Sequence, residues 1–149
     1  MRTFKLFGIF FLTSFSLFAI QWQVIGQKSN EPVYQGNFQA DFKKSLGEIT
    51  VSIFNQNRIE YFGNKEGMNS ILGSPTGDSL LVIESGTRMR AYGWCVRVNK
   101  KLISVLPNQF YFSDQDAVMT WYFGYMQYDN NRWFEDCYPA YVKPLNTYP

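Results

Sequence analysis

Six side chains in the second half of this chain have the types and spacing to hold a ligand: Tyr92, Trp94, Arg97, Trp121, Tyr122 and Tyr125. Broad aromatic rings offer rigid contact area at low entropic cost, and a planar guanidinium can grip an anionic group through two parallel N–H donors. Gathered on one sheet face, they would take a small planar ligand, a glycan or a protein hot spot. Packing in a core explains the same aromatics, because buried rings dominate core energetics. Arg88 and Arg90 extend the cationic set on the same stretch, and the solvated outer face of a sheet accounts for them equally well.

Two acidic sets lie nearby, Asp114 with Asp116 and Glu135 with Asp136. Paired carboxylates could perform glycosidic acid–base work, with Asp116 and Glu135 as acid and base, or bind calcium. Turn residues satisfying local amides, and a solvated strand edge, are the plainer account. No third or fourth oxygen ligand has the spacing of a calcium loop, so no metal site and no cofactor are expected. The chain has no histidine, which removes Ser-His and Cys-His nucleophiles and His-based zinc sites. No catalytic signature is present, and an enzyme is not expected.

The only two cysteines, Cys95 and Cys137, can pair in one way. In an exported chain they point to a disulfide, since neither has a histidine or a CxxC neighbour that would make it a reactive thiol. Export is indicated by the amino terminus: Arg2 and Lys5, then an apolar run from Leu6 to Phe18, then Ala19 at a cleavage position. That run falls short of the ~20 apolar residues needed to span a bilayer. Arg2 and Lys5 account for the whole excess of basic over acidic residues, so the mature chain is close to neutral. A neutral chain lacks the electrostatic footprint for nucleic acid or an anionic membrane, and neither partner is expected. About 130 residues remain, enough for one domain with a sizeable core.

The elements that must position these groups are mostly strands. Residues 20–47 are rich in Gln, Asn and Lys and read as a linker or arm, with a short strand near Val33-Tyr34. Ile49, Val51 and Ile53 alternate with Thr50 and Ser52, which predicts a half-buried strand forming a hairpin with Arg58–Phe62. Met68, Ile71 and Leu72 predict a short helix. Leu80–Ile83 fits a buried strand or the last turn of a helix. A strand follows with Tyr92, Trp94, Val96 and Val98 on one face, closed by a tight turn at Asn99-Lys100. After Pro107-Asn108 and a turn at 114–116, Val118, Thr120 and Tyr122 oppose Met119, Trp121, Phe123 and Tyr125. Both faces are apolar, as in a strand central to a layered fold or one presenting aromatics to a partner. Asp129-Asn130-Asn131 predicts a hairpin turn, with Trp133 on the returning strand, and Pro139, Pro144 and Pro149 mark an extended tail.

The segment Gly93-Trp94-Cys95-Val96-Arg97-Val98-Asn99-Lys100 resembles the "tryptophan, three residues, Val-Asn-Gly" hairpin of the transcobalamin-like C-terminal domain family, a domain of unknown function. Phe112-Ser113-Asp114-Gln115-Asp116-Ala117-Val118 with Trp121-Tyr122 is similar to that family's "Asp-Gly-Asp, apolar, Trp and Tyr" strand. Lys100 and Gln115 replace the usual glycines, and Trp121 stands one residue late, which predicts a bulge. The resemblance implies an α+β fold: a small β-grasp-like mixed sheet with one short helix, here stapled by one disulfide. The Cys95 and Cys137 pair points to an exported bacterial subgroup. The expected organisation is a signal peptide at 1–19, an arm at 20–47, the domain at 48–142 and a tail at 143–149. The expected function is an exported, periplasmic or extracellular, monomeric and non-enzymatic binding module for a small planar ligand or a protein. A disulfide-stapled inhibitor or effector that docks a protein is the alternative, and a carboxylate-only hydrolase is a third.

Overall fold

The computed structural model describes residues 19–113, 117–134 and 136–145. The expected signal segment before Ala19, and Asp114, Asp116 and Glu135, lie outside the described residues. In chain order the elements are β1 (Ala19–Ile25), β2 (Pro32–Gln39), α1 (Leu46–Gln56), β3 (Tyr61–Asn64), β4 (Gly67–Ile71) and β5 (Leu81–Ser85). They continue with β6 (Arg88–Val98), β7 (Lys101–Leu102), β8 (Val118–Asp129), β9 (Arg132–Trp133) and β10 (Tyr138–Pro139).

The main sheet runs β2-β1-β8-β6-β5, with β7 added to β6 and with β9 and β10 added to β8. An amino-terminal hairpin, a helical crossover and a parallel pairing of β1 with the late strand β8 give a β-grasp-like α+β fold. β8 and β6 pair antiparallel from Arg88↔Asp129 to Val98↔Met119 without a register shift, so the bulge expected at Trp121 is not there.

Three expected elements are corrected. Residues 20–47 are not an arm: Ile20, Trp22 and Val24 alternate with polar neighbours and are buried as β1. Ile49–Phe54 is helix rather than strand. Ser45 caps α1 in a capping box with Glu48, and Leu46, Ile49, Thr50, Ile53 and Phe54 recur at helical spacing on its buried side. Met68–Ile71 is strand rather than helix, because β4 pairs with β3, the partner expected for the 49–54 segment.

The core lies between α1 with the β3–β4 hairpin and the inner face of the sheet. Ile20, Trp22 and Val24, Met119 and Trp121, and Val96 meet Leu46, Ile49, Ile53 and Phe54 there. Two linked polar bonds are buried with them: Trp121 Nε1 donates to Thr50 Oγ1 at 3.1 Å, and Thr50 Oγ1 donates to the Leu46 carbonyl at 2.8 Å. Gly47 is required where α1 meets the β3–β4 turn, since a Cβ there would run into the Lys65 carbonyl. A second cluster of Tyr92, Phe123, Tyr125, Ala140 and Leu145 seats the carboxy-terminal segment on the sheet.

The hairpin turns expected at Asn99-Lys100 and at Asp129-Asn130-Asn131 form. Asn99 and Lys100 have φ of 51° and 68°, and Asn130 and Asn131 have φ of 48° and 65°, the left-handed pairs that a two-residue hairpin needs. Cys95 and Cys137 form the expected disulfide, with Cα atoms 6.6 Å apart.

Candidate functional site

The six expected site residues do not share one face. Along β6 and β8 side chains alternate, so Tyr92, Trp94, Trp121 and Tyr125 point toward the helix, and Arg97 and Tyr122 point the other way. Trp121 is 1% exposed and belongs wholly to the core. Tyr92 and Tyr125 are buried in the second cluster, 5.4 Å apart, with burial raising both hydroxyl pKa values. Tyr92 Oη donates to the Lys143 carbonyl at 2.8 Å, which ties down the tail. Arg90 is committed beside them, 2.7 Å from Glu84 and over both rings. Arg88 pairs with Asp129 at 3.0 Å on the surface. Trp94 is half-buried: it meets Phe123 edge-on at 5.6 Å, and its Nε1 donates to Ser74 Oγ at 2.7 Å. Its groove, about 970 Å³, is mostly apolar and runs along β6 toward Val105 and Leu106. Trp133 packs on Tyr128 at the β8–β9 hairpin, away from the rest.

Arg97 and Tyr122, by contrast, meet on the outer face and build a site. The guanidinium lies over the Tyr122 ring, 4.6 Å from its centroid. Both groups anchor to one acceptor, the Cys137 carbonyl: Arg97 Nη2 donates at 2.9 Å and Tyr122 Oη at 2.8 Å. The disulfide carries Cys137 to this position from β6, and β10 continues the line of β1 by pairing with β8 at Gly124 and Tyr125. Gly124 is needed there, because a Cβ would sit 2.5 Å from Cys137 Sγ. Burial pushes the Tyr122 hydroxyl up to about 12, against the downward pull of Arg97, so it remains a phenol at any physiological pH.

These groups line a cavity of about 190 Å³ together with Gln23, Ile25, Asn30, Lys100, Thr120, Pro139 and Tyr141. Gln23 Nε2 donates to Thr120 Oγ1 at 2.8 Å, which fixes one amide of the wall. Two cations face the cavity, and among the described residues no carboxylate lines it. Asp136 stands 3.8 Å from Arg97 with its side chain 56% exposed, a loose pair worth little. The cavity can therefore accept an anion, with Arg97 held by stacking and by a carbonyl and with several neutral donors around it. Among the described residues no group of three or more His, Cys, Asp or Glu side chains comes together to hold a metal ion.

Of the expected site residues, this cavity unites only Arg97 and Tyr122. Gln23 and Asn30 fall in the stretch read as an arm, Lys100 was read only as a turn residue, and Tyr141 only as part of the chain's end. The alternation of Gln21, Gln23 and Ile25 against Ile20, Trp22 and Val24 was the signal that could have found the first of them.

No family model matches the chain, and no curated protein matches it. Among solved structures, the chain is similar to one from Ruminococcus gnavus ATCC 29149 described as a "putative metal binding protein". The identity is 20%, the match covers 72% of this chain and 98% of that one, and the TM-score is 0.47.

Proposed function

We propose that this protein is an exported, monomeric, non-enzymatic binding module whose outer-face cavity holds an anionic group, a carboxylate above all. The observation that carries this is the pair of cations in a small cavity that no carboxylate lines among the described residues, with Arg97 held by Tyr122 and the Cys137 carbonyl. A planar guanidinium fixed in this way matches the two oxygens of a carboxylate, and the preset geometry lowers the entropy lost on binding. The disulfide suits an oxidising compartment, periplasmic or extracellular. The β-grasp-like topology supports kinship with the transcobalamin-like C-terminal domains, and the ligand assigned here is read from this chain's own cavity.

The test is a thermal-shift series on the oxidised exported protein with monocarboxylates, uronic acids, phosphate and sulfate. A ligand at 100 times its dissociation constant stabilises by about 2.7 kcal/mol, readily visible in a domain of this size. Arg97→Gln is expected to lower carboxylate affinity roughly 10- to 100-fold, the ~1.5–3 kcal/mol of a charge-assisted hydrogen bond. Trp94→Ala, on the opposite face, is expected to leave that affinity unchanged. Retained affinity in Arg97→Gln, or its loss in Trp94→Ala, would transfer the function to the apolar groove.

A further inference from the structure

The anion cavity is one end of a longer polar track. Strand register places Gln35, Gln23, Thr120 and Arg97 side by side across β2, β1, β8 and β6. The next row sets Asn37, Gln21 and Val118 beside them. A second cavity of about 490 Å³ is lined by Gln21, Gln23, Gln35 and Asn37, and it shares Gln23 with the anion cavity. From Arg97 to Gln35 the track crosses three strand spacings, about 14 Å.

We infer that the ligand is an acidic oligosaccharide, with a uronate carboxylate on Arg97 and Lys100 and neighbouring sugar hydroxyls along the amides of β1 and β2. This rests on the anion site proposed above and names its ligand class. A primary amide offers an acceptor and two donors, which suits hydroxyls that both donate and accept. Among the described residues no charged side chain lines the second cavity, which suits a ligand neutral along its length and anionic at the Arg97 end. A nucleic acid carries a phosphate at each residue and would require a basic track, whereas among the described residues the cations of this track stand at one end. An extended peptide would engage a strand edge through its backbone, and this track runs across the face of the sheet.

Titration calorimetry of the exported protein with galacturonate, glucuronate and mannuronate monomers, with trimers in which one such uronate caps two neutral sugars, and with neutral galactose and glucose trimers, decides the matter. For at least one uronate series the trimer is expected to bind tenfold or more tighter than its monomer, and tighter than any neutral trimer. The double variant Gln35→Ala/Asn37→Ala, on the exposed edge strand β2, is expected to bring trimer affinity down to that of the monomer. Arg97→Gln is expected to weaken monomer and trimer alike. Monomers that bind through Arg97 while no trimer gains affinity would overturn the oligosaccharide and leave the anion site standing. Uronates that bind in no series would overturn the oligosaccharide, and the anion site falls with it if monocarboxylates, phosphate and sulfate also fail to bind through Arg97.

Discussion

Opening the Cys95–Cys137 disulfide tests both the stability of the fold and the integrity of the cavity. The bond joins residues 42 apart in sequence, so it restricts a long loop in the unfolded chain. The loop-entropy expression gives about 13 cal/mol/K for that length, or about 4 kcal/mol at 25 °C. Against a total of roughly 5–15 kcal/mol for a single domain, that is a large share. With an unfolding entropy of ~2.1 cal/mol/K per residue over about 125 residues, the expected fall in Tm is about 15 °C. Urea unfolding of the oxidised protein and of the same protein in reductant, followed by tryptophan fluorescence, measures the difference without introducing a substitution. The cavity should weaken in parallel, because the Cys137 carbonyl that holds Arg97 and Tyr122 loses its covalent tie. A stability difference below about 1 kcal/mol would refute the loop argument. Unchanged carboxylate affinity in the reduced protein would refute the role given to Cys137.

Three further outcomes follow from the same packing. Trp121→Ala is expected to cost about 3–5 kcal/mol, since it empties the core and strands Thr50, and Trp121→Phe appreciably less; urea unfolding measures both, and a mild Trp121→Ala would contradict the burial of that ring. Gly47→Ala is expected to destabilise by roughly 1–3 kcal/mol or more, because backbone rather than a movable side chain blocks the added Cβ. It is checked by thermal denaturation beside Gly86→Ala, where an added Cβ meets nothing within 4 Å. Alkaline unfolding should track Tyr122. Its folded pKa of about 12 lies above the ordinary value of 10, so its contribution is fully present below pH 10 and is lost as pH rises through about 12. A fluorescence-monitored pH titration of stability that stays flat from pH 10 to 12 would contradict the buried phenol.

Much of the sheet was legible in the sequence because two-residue periodicity and asparagine-led turns are local signals. The faces of Tyr92–Val98 and Met119–Tyr125, the turns at Asn99-Lys100 and Asn130-Asn131, and the single disulfide were each set by neighbouring residues or by a single possible pairing. The helix was misread because Ile49, Val51 and Ile53 fit a strand while Leu46, Ile49, Thr50, Ile53 and Phe54 fit a helix. The Ser45 and Glu48 capping box was the cue that separates the two. β1 was missed because three apolar positions among glutamines carry little weight until β8 lies beside them.

The candidate site shows the limit more sharply. Sequence supplied an arginine and aromatics, and it grouped Arg97 and Tyr122 with Trp94 and Trp121 because all four lie on neighbouring stretches. Alternation across β6 and β8 sends them to opposite faces, and a face acquires its meaning only from what covers it: α1 on one side, the disulfide-tethered segment around Cys137 on the other. Composition and short-range pattern thus determined a near-neutral, disulfide-bonded, strand-rich domain. Tertiary structure alone decided which aromatics became core and which arginine kept an open cavity. Gln23, Arg97, Thr120 and Tyr141 come from distant parts of the chain, and only strand pairing brings them to one wall.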